Sequence, residues 1–263
     1  MKQIASRDNP TFKHLRALAD DSRYRRSEGA TLLDGIHLLQ AANAAGIQFK
    51  RVLVTAKAMQ VQEVAAFIAA ATTFADCELI ALSEALLRAL SPVETPSGIV
   101  AEIQVPAYRS ASEVGDLLLI EAVQDSGNLG TLLRTAAAAG VRSVLLSEQC
   151  AQAWSPKVLR AGMGAHFALH IAEQCNLAGA LDAWCGAIIA TSLDVAAQDL
   201  FSLDLRPPVA WMFGSEGGGL STTLCERATV LARIPMPGGT ESLNVAAAAA
   251  ICLFEQVRQR LKG

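Results

Sequence analysis

Three polar islands in the second half of the chain carry residue types that do chemistry. The first is Gln124-Asp125-Ser126-Gly127-Asn128-Leu129-Gly130, followed by Arg134. It sits between a strand-like run and a helix-like run. Backbone N–H groups at such a helix start hold anions, and Arg134 projects from the first turns toward the same end. The second island, residues 214–219, is rich in glycine, with Glu216 as its only charge. The third, residues 237–244, places Ser242 and Asn244 on the opening turn of the last helix. In an open α/β sheet, ligands sit where strands end, so the islands are expected to line one pocket.

Several familiar chemistries lack their motifs. No G-x-x-x-x-G-K-[ST] is present, which disfavours a Walker ATPase, and no G-x-G-x-x-G follows a strand. Gly214-Ser215-Glu216-Gly217 is not G-x-S-x-G, so Ser215 is a poor nucleophile candidate. Taken singly, each island residue also has a structural explanation. Glycines serve turns with φ > 0, Asn128 and Ser242 suit helix caps, and Glu216 suits the positive end of the next helix.

The elements that position these islands follow from periodicity. Strands are expected at 117–121, 143–147, 167–171, 187–190, 209–213 and 229–234, and helices at 129–139, 156–161, 177–184 and 242–261. The continuous apolar strands suit a parallel sheet covered on both faces. Upstream, Asn9-Pro10 starts a helix carrying Phe12, Leu15 and Leu18, with a second basic helix-like stretch at 24–28. Strands at 31–33, 51–55, 79–82 and 98–103 alternate with helices at 36–45, 61–71 and 84–90. We expect a small α/β domain over 1–105, a linker at 106–115 around Pro106, and a second domain over 116–263.

With 52% hydrophobic and 18% charged residues over 263 positions, the chain has ample material for a core, which argues against disorder. No apolar stretch of spanning length and no signal-like N-terminus is evident, which points to a cytoplasmic protein without membrane contact. Six scattered cysteines without a C-x-x-C pair read as buried reduced thiols. His166 and His170 have helical ligand spacing, but HFALHI alternates like a strand and no carboxylate motif accompanies it, so no metal site is expected. A net charge of -3 argues against a generic nucleic-acid coat. Lys2, Arg7, Lys13, His14, Arg16, Arg23, Arg25 and Arg26 nevertheless crowd the first segment, and on charge alone a solvated helix face explains them equally well.

Together the islands are far more specific. N-L-G followed by Arg134, then FGSEGGGLS, then IPMPGGTESLNVAAAAAICLFE, resembles the three signature motifs of the SpoU/TrmH family. These are RNA ribose 2′-O-methyltransferases of the SPOUT superfamily. SPKVLRAGMGAHF resembles the segment between those motifs, and NPTFKHLRALADDSRYRRSEGATLLDGIHLL resembles the family's N-terminal RNA-substrate-binding domain. The chain departs at Ser126, Asp34 and Ser97, where the family often has Pro, Glu and Gln.

The resemblance implies a parallel-sheet SPOUT domain ending in a deep trefoil knot, preceded by a small α/β RNA-binding domain. It implies S-adenosylmethionine bound in a bent form by Gly214, Ile234 and Leu243, with Thr191, Ser192 and Ser242 nearby. Arg134 is the family's candidate for removing or orienting the 2′-hydroxyl proton. A guanidinium is normally protonated, so we expect an anchor for phosphate and oxyanion, with base action as the alternative if the site perturbs it, and with Asn128, Glu216, Ser242 and Asn244 completing the catalytic set. The resemblance further implies a homodimer with one subunit's Arg-bearing loop near the other's cofactor. It favours ribosomal RNA over transfer RNA, because tRNA-only members often lack the extra domain. The rival readings are a tRNA enzyme, a non-catalytic RNA-binding or ribosome-assembly factor of the same fold, and an enzyme using another adenine-containing ligand.

Overall fold

A computed structural model of the chain describes residues 1–108, 115–194, 196–215 and 217–262. Most of the expected linker, 109–114, lies outside them. Two compact units are present: Met1–Ala107 with Trp154–Phe167, and Tyr108–Ala153 with Ala168–Gly263.

In the first unit, β1 (Lys2–Ile4), β2 (Ala30–Asp34), β3 (Phe49–Thr55), β4 (Glu78–Leu82) and β5 (Ile99–Gln104) form a sheet in the order β1-β4-β3-β5-β2. β5 runs antiparallel to β2 and β3, and the other pairings are parallel. Helices α1 (Pro10–Asp20), α2 (Ser22–Glu28), α3 (Ile36–Ala44), α4 (Gln62–Ala71) and α5 (Glu84–Leu90) connect and cover the strands. Asn9 accepts the N–H groups of Thr11 and Phe12 and so starts α1, whose Phe12, Leu15 and Leu18 pack with Leu32, Leu53, Ile80 and Leu87. β1 escaped the pattern reading because only Ile4 of its three residues is buried.

The second unit begins with β6 (Leu117–Ile120), α6 (Ser126–Ala138) and β7 (Ser143–Leu146). The chain then leaves it for α7 (Pro156–Gly162), which packs on β2 of the first unit. There Thr31 Oγ1 donates to Trp154 O at 2.6 Å and Arg160 to Asp34 Oδ2 at 3.1 Å. The second unit resumes with β8 (His170–Ala172), α8 (Leu177–Ala180), β9 (Ala187–Thr191), β10 (Gln198–Asp199), β11 (Val209–Phe213), α9 (Thr222–Arg227), β12 (Val230–Arg233) and α10 (Val245–Lys262). Its seven strands order as β10-β12-β9-β11-β6-β7-β8, and every pairing is parallel. Since β12, β9 and β11 are adjacent and parallel, their C-terminal ends stand side by side.

Local structure departs from the sequence expectation at several points. The expected strand over 167–171 is a 3-10 turn, Ala165–Ala168, followed by β8. Left-handed Met163 and Gly164 reverse the chain there, and Phe167 N–H closes onto Gly164 O at 3.1 Å. α8 stops at Ala180 rather than 184, the chain continuing as tight turns at Leu181 and Asp182. α6 begins three residues earlier than expected, since Asp125 Oδ1 accepts Asn128 N–H and is its cap. Of the six cysteines only Cys252 is fully buried, and Cys185, on the turn before β9, is exposed. No described helix is long and apolar enough to cross a membrane.

A charge cluster ties the first sheet together. Lys50 is the extra residue of a bulge in β3, opposite Glu102. Glu102 is fully buried and receives His14 Nε2 at 3.0 Å, Lys50 Nζ at 3.2 Å and Arg51. Burial pushes the Glu102 carboxyl up, but hydrogen bonds from His14 and Arg51, with their positive charge, outweigh it and hold it below the ordinary carboxylate range. A lowered carboxyl stabilises the fold above its unfolded-state value, about 4.3, and loses that contribution as pH falls through the folded value. Glu102→Gln is therefore expected to cost about 2 kcal/mol at pH 7, with the deficit shrinking below about pH 4. Urea unfolding at both pH values measures this, and a deficit independent of pH contradicts it.

Candidate functional site

The C-terminal ends of β9, β11 and β12 enclose a cavity of about 330 Å³ with the start of α10. β9 supplies Thr191, Ser192 and Leu193, and β11 supplies Phe213 and Gly214. Ala232, Ile234 and Met236 follow one face of β12 and its extension at every second residue. Ser242, Leu243, Val245 and Ala248 close the remaining side. The walls are apolar with a few hydroxyls, and no charged side chain lines them among the described residues. Thr191, Ser192, Gly214, Ile234, Ser242 and Leu243, distant in sequence, thus surround one space. Sequence reasoning missed Ala232 and Met236, although strand alternation from Ile234 contains them.

The glycine loop after β11 is bent back on itself. Ser215 bridges Gly219, whose N–H reaches Ser215 O at 2.9 Å, and Gly219 has φ +63°. A Cβ on Gly214 would lie 2.1 Å from the Gly219 carbonyl, so only glycine fits there. That close approach, not a positive φ, is the reason for Gly214.

The third island differs from the expectation. α10 begins at Val245, not at residue 242. Asn244 is its cap, accepting Ala246 N–H at 3.0 Å and Ala247 N–H at 3.3 Å through Oδ1. This leaves Ser242 and Leu243 in the segment before the helix, against the cavity. The Asn244 amide nitrogen donates to Asn128 Oδ1 at 2.9 Å. Asn128 is inside α6 and is not a cap, so its side chain is available for this bond. The first and third islands are joined through these two residues.

Arg134 is exposed on α6, does not line the cavity, and makes no salt bridge among the described residues. Glu216 lies outside the described residues. His166 is buried against Trp154, at 5.3 Å between ring centroids, while His170 belongs to β8.

On the first unit the basic residues separate into groups. Arg25 is 5% exposed and donates to Leu18 O at 2.7 Å and Ala19 O at 3.1 Å, so it caps α1 and is unavailable to a surface ligand. His14 is committed to Glu102 and Tyr24, and Lys2 to Glu78. Lys13 and Arg16 pair with Asp8 and Asp20 and, with Arg7, line a second cleft. Arg7, Arg23 and Arg26 are exposed and form no salt bridge among the described residues.

A parallel sheet with a cavity at the ends of three adjacent strands, lined by no charged side chain among the described residues, and a separate small mixed-sheet domain define an α/β ligand-binding protein with an appended module. Comparison with known proteins narrows this. Residues 116–254 match the SpoU rRNA Methylase family, and residues 9–101 match the MRM3-like substrate binding domain. The chain belongs to the SpoU rRNA methylase family. It is 35% identical over 98% of its length to an uncharacterised tRNA/rRNA methyltransferase of Synechocystis, of which 94% is covered. It is 33% identical to the 23S rRNA (guanosine(2553)-2′-O)-methyltransferase RlmP of Bacillus subtilis, covering 97% of this chain and 98% of that one. The crystal structure of AdoMet-bound rRNA methyltransferase from Sinorhizobium meliloti superposes with a TM-score of 0.83 at 29% identity, covering 98% of this chain and 97% of that one.

The fit at Gly214 yields a stability test. Gly214→Ala should destabilise the fold by about 1–3 kcal/mol through overpacking. Gly217→Ala, where a Cβ meets nothing within 4 Å, should stay within about 0.5 kcal/mol of the parent. Denaturant melts of both variants decide it, and equal losses contradict the packing argument.

Proposed function

We propose that this protein is an S-adenosylmethionine-dependent RNA methyltransferase acting on a ribose 2′-hydroxyl, with ribosomal RNA as its substrate class. The observation that carries this reading is the meeting of Thr191, Ser192, Gly214, Ile234, Ser242 and Leu243 around one cavity. Its size falls at the lower end of ordinary ligand pockets, and its apolar walls with a few hydroxyls suit an adenine ring and its ribose. When bound, the cofactor supplies a methyl group already activated on a sulfonium. The chain then has two tasks, in-line positioning and handling of the hydroxyl proton.

Arg134 is the anchor for the RNA phosphate and for the developing oxyanion. Asn244 aligns with Asn128 through their hydrogen bond, which fixes the start of α6 relative to the cavity wall. Glu216, on the glycine loop, orients the nucleotide. The exposed position of Arg134, outside the lining of its own subunit's cavity, supports the homodimer in which it serves the partner's cofactor. α10 leaves Ala247, Phe254 and Leu261 exposed at seven-residue intervals, one face suited to a second copy. For the C-terminal domain we propose the deep trefoil knot. It is supported by the seating of α10 beside three strand ends and by the bonds of Gln259 to Leu203 O and Leu205 N–H. We place the enzyme in the cytoplasm. The RlmP relationship and the additional N-terminal domain favour rRNA over tRNA.

Arg134→Ala should lower turnover by about two orders of magnitude or more while leaving cofactor affinity nearly unchanged. Mixed with the cofactor-pocket variant Gly214→Ala, it should regain activity in heterodimers. Equal loss of turnover and affinity, or no recovery on mixing, contradicts the assigned role. For RNA, Arg7→Ala, Arg23→Ala and Arg26→Ala should each flatten the dependence of log affinity on log salt by about 0.7–0.9. Arg25→Ala should lower the melting temperature and leave that slope unchanged. Fluorescence anisotropy across a salt series provides the measurement.

A further inference from the structure

We propose that Glu121 is a positioning residue that holds the 214–220 loop in its ligand-binding shape from both ends. The proposal rests on reading the adjoining cavity as the methyl-donor site. Glu121 directly follows β6 and lies outside the three polar islands. Its backbone N–H donates to Phe213 O at 2.9 Å, immediately before the loop. Its carboxylate Oε2 accepts the N–H of Ser221 at 2.6 Å, immediately after the loop. One residue therefore grips the two feet of the segment that forms the glycine wall of the cavity.

Such a clamp answers a physical need. Residues 214, 217, 218 and 219 are glycines, which have the most conformational freedom to lose on ordering. Among the described residues of the loop, Gly219 N–H donates to Ser215 O at 2.9 Å and Gly218 N–H to Ser215 Oγ at 3.2 Å. Both run to Ser215; at the far end Leu220 O accepts Cys225 Sγ at 3.9 Å and Ser221 caps α9. The short bond from Ser221 to an ionised acceptor ties that end to the strand end beside the cavity, and charge assistance makes it stronger than a neutral bond.

The backbone beside Glu121 is built for this purpose. Ala122 has φ +56°, a left-handed conformation that an L side chain disfavours. Its N–H is held by Ser147 Oγ at 3.0 Å, and Ser147 N–H in turn by Ile120 O at 3.0 Å. A strained residue persists where its surroundings over-determine it. Here the strain turns the chain out of β6 just after Glu121, and the first polar island begins within the next residues.

The test uses the full-length protein and two readouts. Hydrogen exchange on the protein without cofactor reports the loop, and calorimetry with S-adenosylmethionine reports the cavity. Glu121→Ala should lose protection at the 218–221 amides and bind the cofactor about tenfold or more weakly. In turnover it should raise KM for the donor while kcat at saturation changes by less than about twofold. Glu121→Gln keeps an acceptor oxygen and should restore most of both. If Glu121→Ala does not fold, Glu121→Asp, one methylene too short, carries the same expectation. Unchanged protection in Glu121→Ala, or a Gln variant as impaired as the Ala variant, overturns the clamp. Failure of the parent protein to bind S-adenosylmethionine instead overturns the reading of the cavity, while the exchange data still decide the clamp.

Discussion

The seating of α10 is the constraint on which the second unit depends. Its first turn and the residues just before it are a wall of the cavity, so any slippage of the helix would move that wall. Both ends are fixed by side chains from distant segments. At the N-terminal end Asn244 caps the helix with its oxygen and reaches Asn128 with its nitrogen. At the other end Asp116, nearly buried, receives Gln256 Nε2 at 3.0 Å, both terminal nitrogens of Arg260, and Val209 N–H at 3.0 Å. Gln256 also accepts Trp211 Nε1 at 2.8 Å in the core. Buried polar groups that are fully engaged specify one arrangement more sharply than apolar packing does.

Glycine provides the complementary freedom on the opposite wall. A loop able to approach its own backbone at Gly214 makes a thin, close surface for a ligand, but it is floppy unless tied. Rigid strands, a capped helix and one clamped loop together make a preorganised pocket from a chain that would otherwise lose substantial entropy on binding. The same logic operates in the first unit. There a bulge turns two consecutive cations toward the buried Glu102, and Arg25 spends its guanidinium on the carbonyls ending α1. A basic residue in sequence is thus not always a basic surface in the fold.

Much of the architecture was legible without coordinates. Val209–Phe213 is a continuous apolar run bounded by Pro208 and Gly214, and it forms that strand. Ser83 before Glu84 marks a helix start, and α5 spans the expected residues. Legibility failed where the local signal was short or ambiguous. β10 is two exposed residues recognised only by pairing with β12. HFALHI alternates like a strand, yet Gly164 and the docking of Trp154 and His166 turn its first half into a 3-10 segment. The cap readings of Asn9 and of Ser155 hold, whereas those of Asn128 and Ser242 do not, because several residues near those helix starts could have served and hydrogen bonding selects Asp125 and Asn244.

The apolar strands and the strand-end loops were legible in the sequence alone, since periodicity and glycine spacing are local properties of a chain, while the family and the candidate ligand-binding residues came from the resemblance of its motifs. Tertiary structure decided which of those residues meet. It placed six cofactor candidates around one cavity, joined Asn128 to Asn244 across 116 positions, and withdrew Arg25 from the surface. It also brought Glu121 against Phe213 and Ser221, roughly a hundred residues away in sequence. Such encounters depend on strand order and parallel register, and no local pattern encodes which strand will become the neighbour of which.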